Sequence, residues 1–360
     1  MFSIPRAAVR AFRAVVHKGV AGRAREPAPP VVLIPDGEAV TMLVHLPSIS
    51  IAYRVATEQP GAAPAVLPMT AFDAAVGAGH DPITLEPKGK LGAELRWNER
   101  GQGKTQAVEL ERFGTVHERP VEPSIFAPMP AEFLTALHEA GRTTGAANGR
   151  YALDRIQVKG KNGSVVASDG HRALLYGGFR FPFKEGLLIP ALPIFGTAEL
   201  AKETEIAVGR TDTHLVVRIG PWTFYLVLDA TGRYPDVASV VPKAADTILE
   251  LDDLDARELL TALPKLPGAG EERRPVTLDL APRSTRGRAG PRGGSHPESF
   301  DGIQRCGAGG GRPYLPRPGP AARLPDIPRL RREADGGPRG RRRTAGDAPR
   351  SRFDRKTTAG

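Results

Sequence analysis

Asp169-Gly170-His171-Arg172, inside the stretch ASDGHRALLY, sets a carboxylate two residues before an imidazole. Those residue types could act as an orienting acid and a general base. No nucleophile, oxyanion loop or metal partner is evident beside them, so polar residues closing a strand are the commoner reading. A glycine beside His171 and Arg172 at a strand end could instead shape a peptide-accepting pocket. RGQGKT, residues 100–105, resembles the end of a phosphate-binding loop. The full pattern needs a glycine where Asn98 stands, and a strand before and a helix after. Both flanks here read as strands, so a solvated hairpin turn is expected. The histidines at 17, 45, 80, 117, 138, 171, 214 and 296 are scattered singly, and Cys306 is alone. Neither a metal site, nor another cofactor, nor an intrachain disulfide is expected, and a single cysteine fits a reducing cytoplasm.

The elements that must position these residues alternate between period-2 and helical patterns. VVLIP, AVTMLVHL and ISIAYRV read as strands within the first fifty-five residues, and TEIAVGRTDTHLVVRIGPWTFYLVLDA supplies three more. AELRWNERGQGKTQAVELERF reads as a hairpin, and LDRIQVKGKNGSVVASDG as another, turning at Lys161-Asn162-Gly163. Helices are expected from about residue 5, from about 130 behind Pro130, and from about 254 with Asp253 or Asp255 as N-cap. Leu134-Thr135-Ala136-Leu137 recurs as Leu260-Thr261-Ala262-Leu263, and Val9-Arg10-Ala11-Phe12 stands 125 residues before the first of these. VLPMTAFDAAV and LIPALPIFGTA, offset by 122, both run from a strand through proline into a short helix. The chain therefore reads as a duplication of about 125 residues, each copy two helices against antiparallel strands, an α+β fold.

Charge is distributed unevenly. Residues 283–360 hold 18 Arg and 1 Lys against 7 acids, a balance of +12, whereas the whole chain is +10. Residues 1–282 thus sum to −2, so the basic total argues nothing about nucleic acid. Gly, Pro and Arg supply 43 of the last 78 residues, too little apolar material to offset ordering entropy, and disorder is expected there. Two origins are open: an Arg/Gly-rich tether, or a shifted reading frame in a GC-rich gene. No apolar run approaches the length that spans a bilayer, and the basic, amphipathic N-terminus reads as the first helix rather than a transit peptide.

The repeat and the ordered motifs together resemble the bacterial sliding clamp family, the beta subunit of DNA polymerase III. The resemblance is carried by GRYALDRIQV, VVASDGHRALLY, LLIPALPI and DATGRYPDVASVVPK in the middle, and more loosely by QPGAAPAVLPMTAFDAAV before them. LELDDLDARELLTALPKLPGAGEERRPVTLDL continues it to about residue 281. It implies a DNA-clamp fold with domains at 1–125, 126–246 and 247–282, and residues 283–360 outside it. It further implies a cytoplasmic, non-catalytic processivity factor, a head-to-tail homodimer ring around double-stranded DNA, with no membrane association. DNA polymerase and clamp-loader subunits would dock through short hydrophobic peptides.

Arg6, Arg10 and Arg13, one stripe of an amphipathic helix, are candidate phosphate contacts from their pattern alone. The resemblance adds Arg23 or Arg25, and Arg150 with Tyr151, to the DNA contacts. It assigns Leu153, Ser168, Gly170, His171, Arg172 and Pro242 to the wall of the peptide cleft. Ser168 stands where Thr is usual, Ala173 where Leu is common, and Ala152 where many members carry a second large side chain. Most of the third domain and the family's apolar C-terminal peptide have no evident counterpart, so an open or monomeric clamp with a half-built cleft is expected. The alternative is a clamp-like paralogue serving as an interaction module without ring closure.

Overall fold

Between Pro5 and Gly19, apolar residues recur at helical spacing: Val9, Phe12, Val15 and Val16 are all buried. They seat helix α1, Arg6–Gly19, on a strand-rich core. The computed structural model describes residues 1–19, 28–77, 79–147, 150–241, 252–265, 276–281, 284–289 and 300–303.

Around α1 the first copy of the repeat comprises β1 (Phe2–Ile4), β2 (Pro30–Pro35), β3 (Ala39–Leu46), β4 (Ile49–Ala56) and β5 (Ala65–Pro68). A 3-10 turn at Met69–Phe72 follows, then β6 (Ile83–Lys88), β7 (Gly92–Glu99) and β8 (Gln102–Glu109). The second copy repeats that order with β9 (Phe126–Met129), helix α2 (Glu132–Thr143), β10 (Arg155–Lys159), β11 (Ser164–Ser168), β12 (Ala173–Gly177) and β13 (Gly186–Pro190). A 3-10 turn at Pro193–Gly196 precedes β14 (Ile206–Arg210), β15 (His214–Ile219) and β16 (Trp222–Val227). The expected second helix of each copy is thus a four-residue 3-10 turn. In the second copy Pro193 occupies its first turn, where a missing N–H costs nothing. The hairpin at RGQGKT turns through Arg100 and Gly101 with φ of 51° and 78°. Positive φ at both positions is the geometry of a two-residue hairpin.

Each copy folds into two four-stranded sheets. In the first copy these are β1-β6-β7-β8 and β5-β2-β3-β4, and in the second β9-β14-β15-β16 and β13-β10-β11-β12. The copies join through one antiparallel ladder, β4 on β16, which makes a continuous eight-stranded sheet. Trp222 lies opposite Tyr53 in that ladder, with ring centroids 3.9 Å apart. Phe12 of α1 stacks beside both, and Phe224 and Phe195 extend the aromatic row into the second copy.

Met1–Lys243 forms one compact unit and Ala244–Gly360 a second. In the second unit α3, Asp253–Ala262, is capped by Asp252, one residue before the expected cap. Its Oδ1 accepts the Leu254 and Asp255 N–H groups at 2.9 Å each. β17 (Val276–Ala281), β18 (Ser284–Ala289) and β19 (Phe300–Ile303) form an antiparallel sheet in that order. β18 and β19 fall inside the Arg/Gly/Pro-rich stretch. Residues 304–360 lie outside the described residues. No helix among the described residues is long and apolar enough to cross a membrane.

Candidate functional site

Between β11 and β12 the chain must reverse in four residues, and Asp169 organises the reversal. Its Oδ1 accepts the backbone N–H of His171 at 2.9 Å and of Arg172 at 2.7 Å, while Oδ2 takes the Arg172 guanidinium at 2.9 Å. Ser168, buried, donates its hydroxyl to the Arg172 carbonyl at 2.7 Å and accepts the Gly170 N–H at 3.0 Å. Gly170 sits at φ +89°, a conformation that L side chains rarely adopt.

Asp169 therefore spends its oxygens on backbone and guanidinium. Among the described residues no side chain hydrogen-bonds the His171 ring, so no carboxylate–imidazole pair forms here. The Arg172 and His171 N–H groups hold the Asp169 carboxyl down at about 2, outweighing the upward effect of burial, with the Arg172 guanidinium a lesser contributor. A depressed carboxyl contributes stability that is complete above its ordinary 3.8 and lost as pH falls towards about 2. The turn is thus expected to loosen only between those values, and a carboxyl 13C titration of Asp169 with its midpoint near 4 would contradict this. Asp169→Ala is expected to cost about 1–2 kcal/mol through the stranded N–H groups, read from the urea midpoint at neutral pH.

The turn is walled from behind. Leu153 is buried, and a methyl at Gly170 would touch its Cδ1 at 3.7 Å. The Leu153 carbonyl accepts the Gly145 N–H at 3.0 Å, and Gly145 presses so closely on Asp169 that a Cβ there would lie 2.9 Å from the Asp169 Cβ. Ala152 N–H reaches the Arg233 carbonyl at 2.9 Å, bringing in the segment that carries Tyr234. Burial pushes the Tyr234 phenol up to about 12, against an opposing contribution from the Ser168 backbone. Leu153, Ser168, Gly170 and the exposed His171 and Arg172 are thus brought together. Tyr234 and Gly145 join them unassigned at the sequence level. Only Tyr234 left a trace there, within TGRYPD. Pro242 lies outside the described residues.

Within the arginine stripe of α1, Arg6 is a correction. Arg6 is 0% exposed: its Nη1 lies 3.3 Å from Glu99 Oε2 and its Nη2 donates to the Asn98 carbonyl at 2.5 Å. No surface is left for a phosphate. Arg10 donates to the Gly77 and Gly79 carbonyls at 2.8 and 3.2 Å, and Arg13 pairs with Asp73. Arg10 and Arg13 brace the segment after the Met69–Phe72 turn, and Arg6 braces the end of β7. The exposed basic residues of α1 are His17 and Lys18 in its last turn, and α2 exposes Arg142. Arg150 is exposed, with its guanidinium 5.0 Å from the Tyr151 ring centroid. Arg23 and Arg25 lie outside the described residues. Among the described residues no cluster of His, Cys, Asp or Glu is placed to hold a metal ion.

No protein-family model and no curated protein sequence matches the chain. Solved structures do. The sliding clamp (DNA polymerase III subunit beta) of Pseudomonas aeruginosa, bound to griselimycin, superposes with a TM-score of 0.65 at 19% identity, over 86% of this chain and 85% of that one. The DNA polymerase III beta subunit of Thermotoga maritima gives 0.65 at 14% identity, over 84% and 83%. The Helicobacter pylori beta clamp, bound to a DNA ligase peptide, gives 0.63 at 15% identity, over 84% and 85%. With its duplicated sheets joined edge to edge and α1 and α2 packed on them, the chain has the fold of the bacterial sliding clamp, the beta subunit of DNA polymerase III.

Proposed function

We propose that the chain is a non-catalytic sliding clamp that works in the cytoplasm, encircles duplex DNA and tethers a DNA polymerase to it. The observation that carries this reading is the β4–β16 ladder. It joins the last strand of the second copy to the outer strand of a sheet in the first copy. By the same rule β8 and β12, the equivalents of β16 and β4, are complementary edges, and each ends its sheet among the described residues. Such head-to-tail complementarity generates rings when the rotation closes. Domains at 1–125, 126–246 and 247–282 are the units of that ring, and a homodimer is the assembly if the third domain is intact. Phosphate contact is assigned to Lys18, Arg142, Arg150 and Tyr151, with Arg23 and Arg25. Such contact is independent of base sequence.

The turn at 168–172, with Leu153 and Pro242, is assigned as one wall of a cleft for short hydrophobic peptides. Two features support it: a desolvated leucine behind a glycine that leaves the surface open, and a rim of His171 and Arg172. The Helicobacter pylori beta clamp, which shares this fold and is bound to a DNA ligase peptide, supports the reading. DNA polymerase and clamp-loader subunits are the expected donors. A second reading, a clamp-like interaction module without ring closure, is favoured by the abrupt Arg/Gly/Pro composition after residue 282.

One experiment separates them. A closed ring is expected to survive gel filtration at high salt on nicked circular plasmid and to be lost once the plasmid is cut. Binding that ignores DNA topology and falls steeply with salt would establish the module instead.

A further inference from the structure

The eight-stranded sheet has a second face, turned away from α1, where Val32, Leu43, Val66, Val216 and Tyr225 form a separate apolar cluster. Residues 112–125, which connect the two copies, run across this face on an alternating chain of charges. Asp36 pairs with Arg54 at 3.1 Å and with Arg119 at 3.4 Å. Arg119 also donates to the buried Thr41 hydroxyl at 2.7 Å and lies 3.7 Å from Glu122. Glu122 in turn pairs with Arg218, whose guanidinium lies 3.8 Å from the Phe126 ring centroid. The three arginines border a pocket of about 270 Å³ together with Thr41, Glu122 and Thr223.

Three guanidinium groups against two carboxylates leave one positive charge at this pocket. The arginines are already held by their partners, so little side-chain freedom remains to be lost on binding. An arginine fork favours a planar oxyanion. The same connector also turns large apolar side chains to solvent: Val116 is 75% exposed, Val121 78% and Ile125 65%. A free inorganic anion would have no use for them. Asp36 and Glu122 also set negative charge beside the pocket, which disfavours a polyphosphate chain.

We propose that this pocket is a second docking site, for an acidic peptide. One carboxylate side chain enters between Arg54 and Arg218, and the peptide's apolar residues lie on Val121 and Ile125. The site is independent of the turn at 168–172 and does not depend on ring closure.

The test is fluorescence anisotropy on the full chain with a capped, fluorescein-labelled peptide alternating Glu and Leu, against the same peptide with Gln for Glu. The Glu peptide is expected to bind at least about tenfold more tightly, the difference one charge-assisted fork makes. Arg54→Gln is expected to weaken it about tenfold, since a neutral amide removes that fork. Val121→Ser is expected to weaken it about threefold through lost apolar burial. Arg54 and Val121 are exposed, and circular dichroism checks that both variants fold. Leu91→Ser, in the exposed turn before β7, is expected to leave the affinity unchanged. Equal binding of the two peptides overturns the proposal. So does loss of binding on Arg172→Gln with none on Arg54→Gln, which would place the peptide at the other turn. If inorganic phosphate binds in an Arg54-dependent way and the Glu peptide does not displace it, the pocket is a free-oxyanion site and the peptide proposal fails.

Discussion

Trp222→Ala is expected to lower the stability of the Met1–Lys243 unit by about 3–5 kcal/mol, the cost of emptying a packed aromatic site. Trp222 is only 2% exposed, and its ring is the middle of a row that crosses the seam between the two copies. Tyr53 of β4 stacks on it, Phe12 of α1 lies parallel with centroids 6.3 Å apart, and Phe224 continues the row at 6.2 Å. Truncation to a methyl group removes the contact that holds the β4–β16 ladder and α1 to the same core. Trp222→Phe keeps most of that volume and is expected to cost about 1–2 kcal/mol. Urea titration followed by far-ultraviolet circular dichroism measures both. A midpoint shift for Trp222→Ala no larger than that for Trp222→Phe would mean that the row does not carry the seam. A ring assembled from such copies transmits load through each seam, so this residue bears on the proposed function as well as on the fold.

The local parts of this architecture were legible because their signals are local. Alternation in AVTMLVHL and ISIAYRV set β3 and β4, Arg100-Gly101 set a hairpin, and Lys161-Asn162-Gly163 set another. The seam was not legible. Nothing in the period of WTFYLV states that its partner is the strand at residues 49–56 rather than a neighbour in its own copy, because strand partners are chosen by whole-sheet packing. The turn at 168–172 was half legible. Its residue types pointed to a strand end, but that Asp169 caps backbone N–H groups rather than an imidazole depends on a reversal only the fold defines. Tyr234 and Gly145 reach the same wall from 66 and 24 residues away along the chain, a distance that no motif spans.

The same limit explains Arg6, and it leads to the second large effect. Helical periodicity correctly placed Arg6, Arg10 and Arg13 on one face, but periodicity is silent on what that face meets. It meets the β7–β8 turn and Asp73, Gly77 and Gly79, and Glu99, 93 residues away, closes on the buried guanidinium. Glu99→Ala would leave a sealed positive charge with the Asn98 carbonyl as its remaining partner among the described residues. Breaking a buried pair from one side is costly; the retained carbonyl moderates it, and about 2–3 kcal/mol is expected. Arg6→Met leaves only a carboxylate that water can reach and should cost about 1 kcal/mol. The double variant is then expected to be more stable than Glu99→Ala alone, which a double-mutant cycle by urea unfolding would measure. The cycle also separates architecture from DNA contact. Because Arg6 has no exposed surface, Arg6→Met is expected to leave DNA affinity and its salt dependence unchanged, whereas Lys18→Glu should lower both. A drop of about one in the salt slope with Arg6→Met would mean that this guanidinium releases a phosphate counterion after all, and that α1 turns its arginine stripe towards the duplex when DNA is bound.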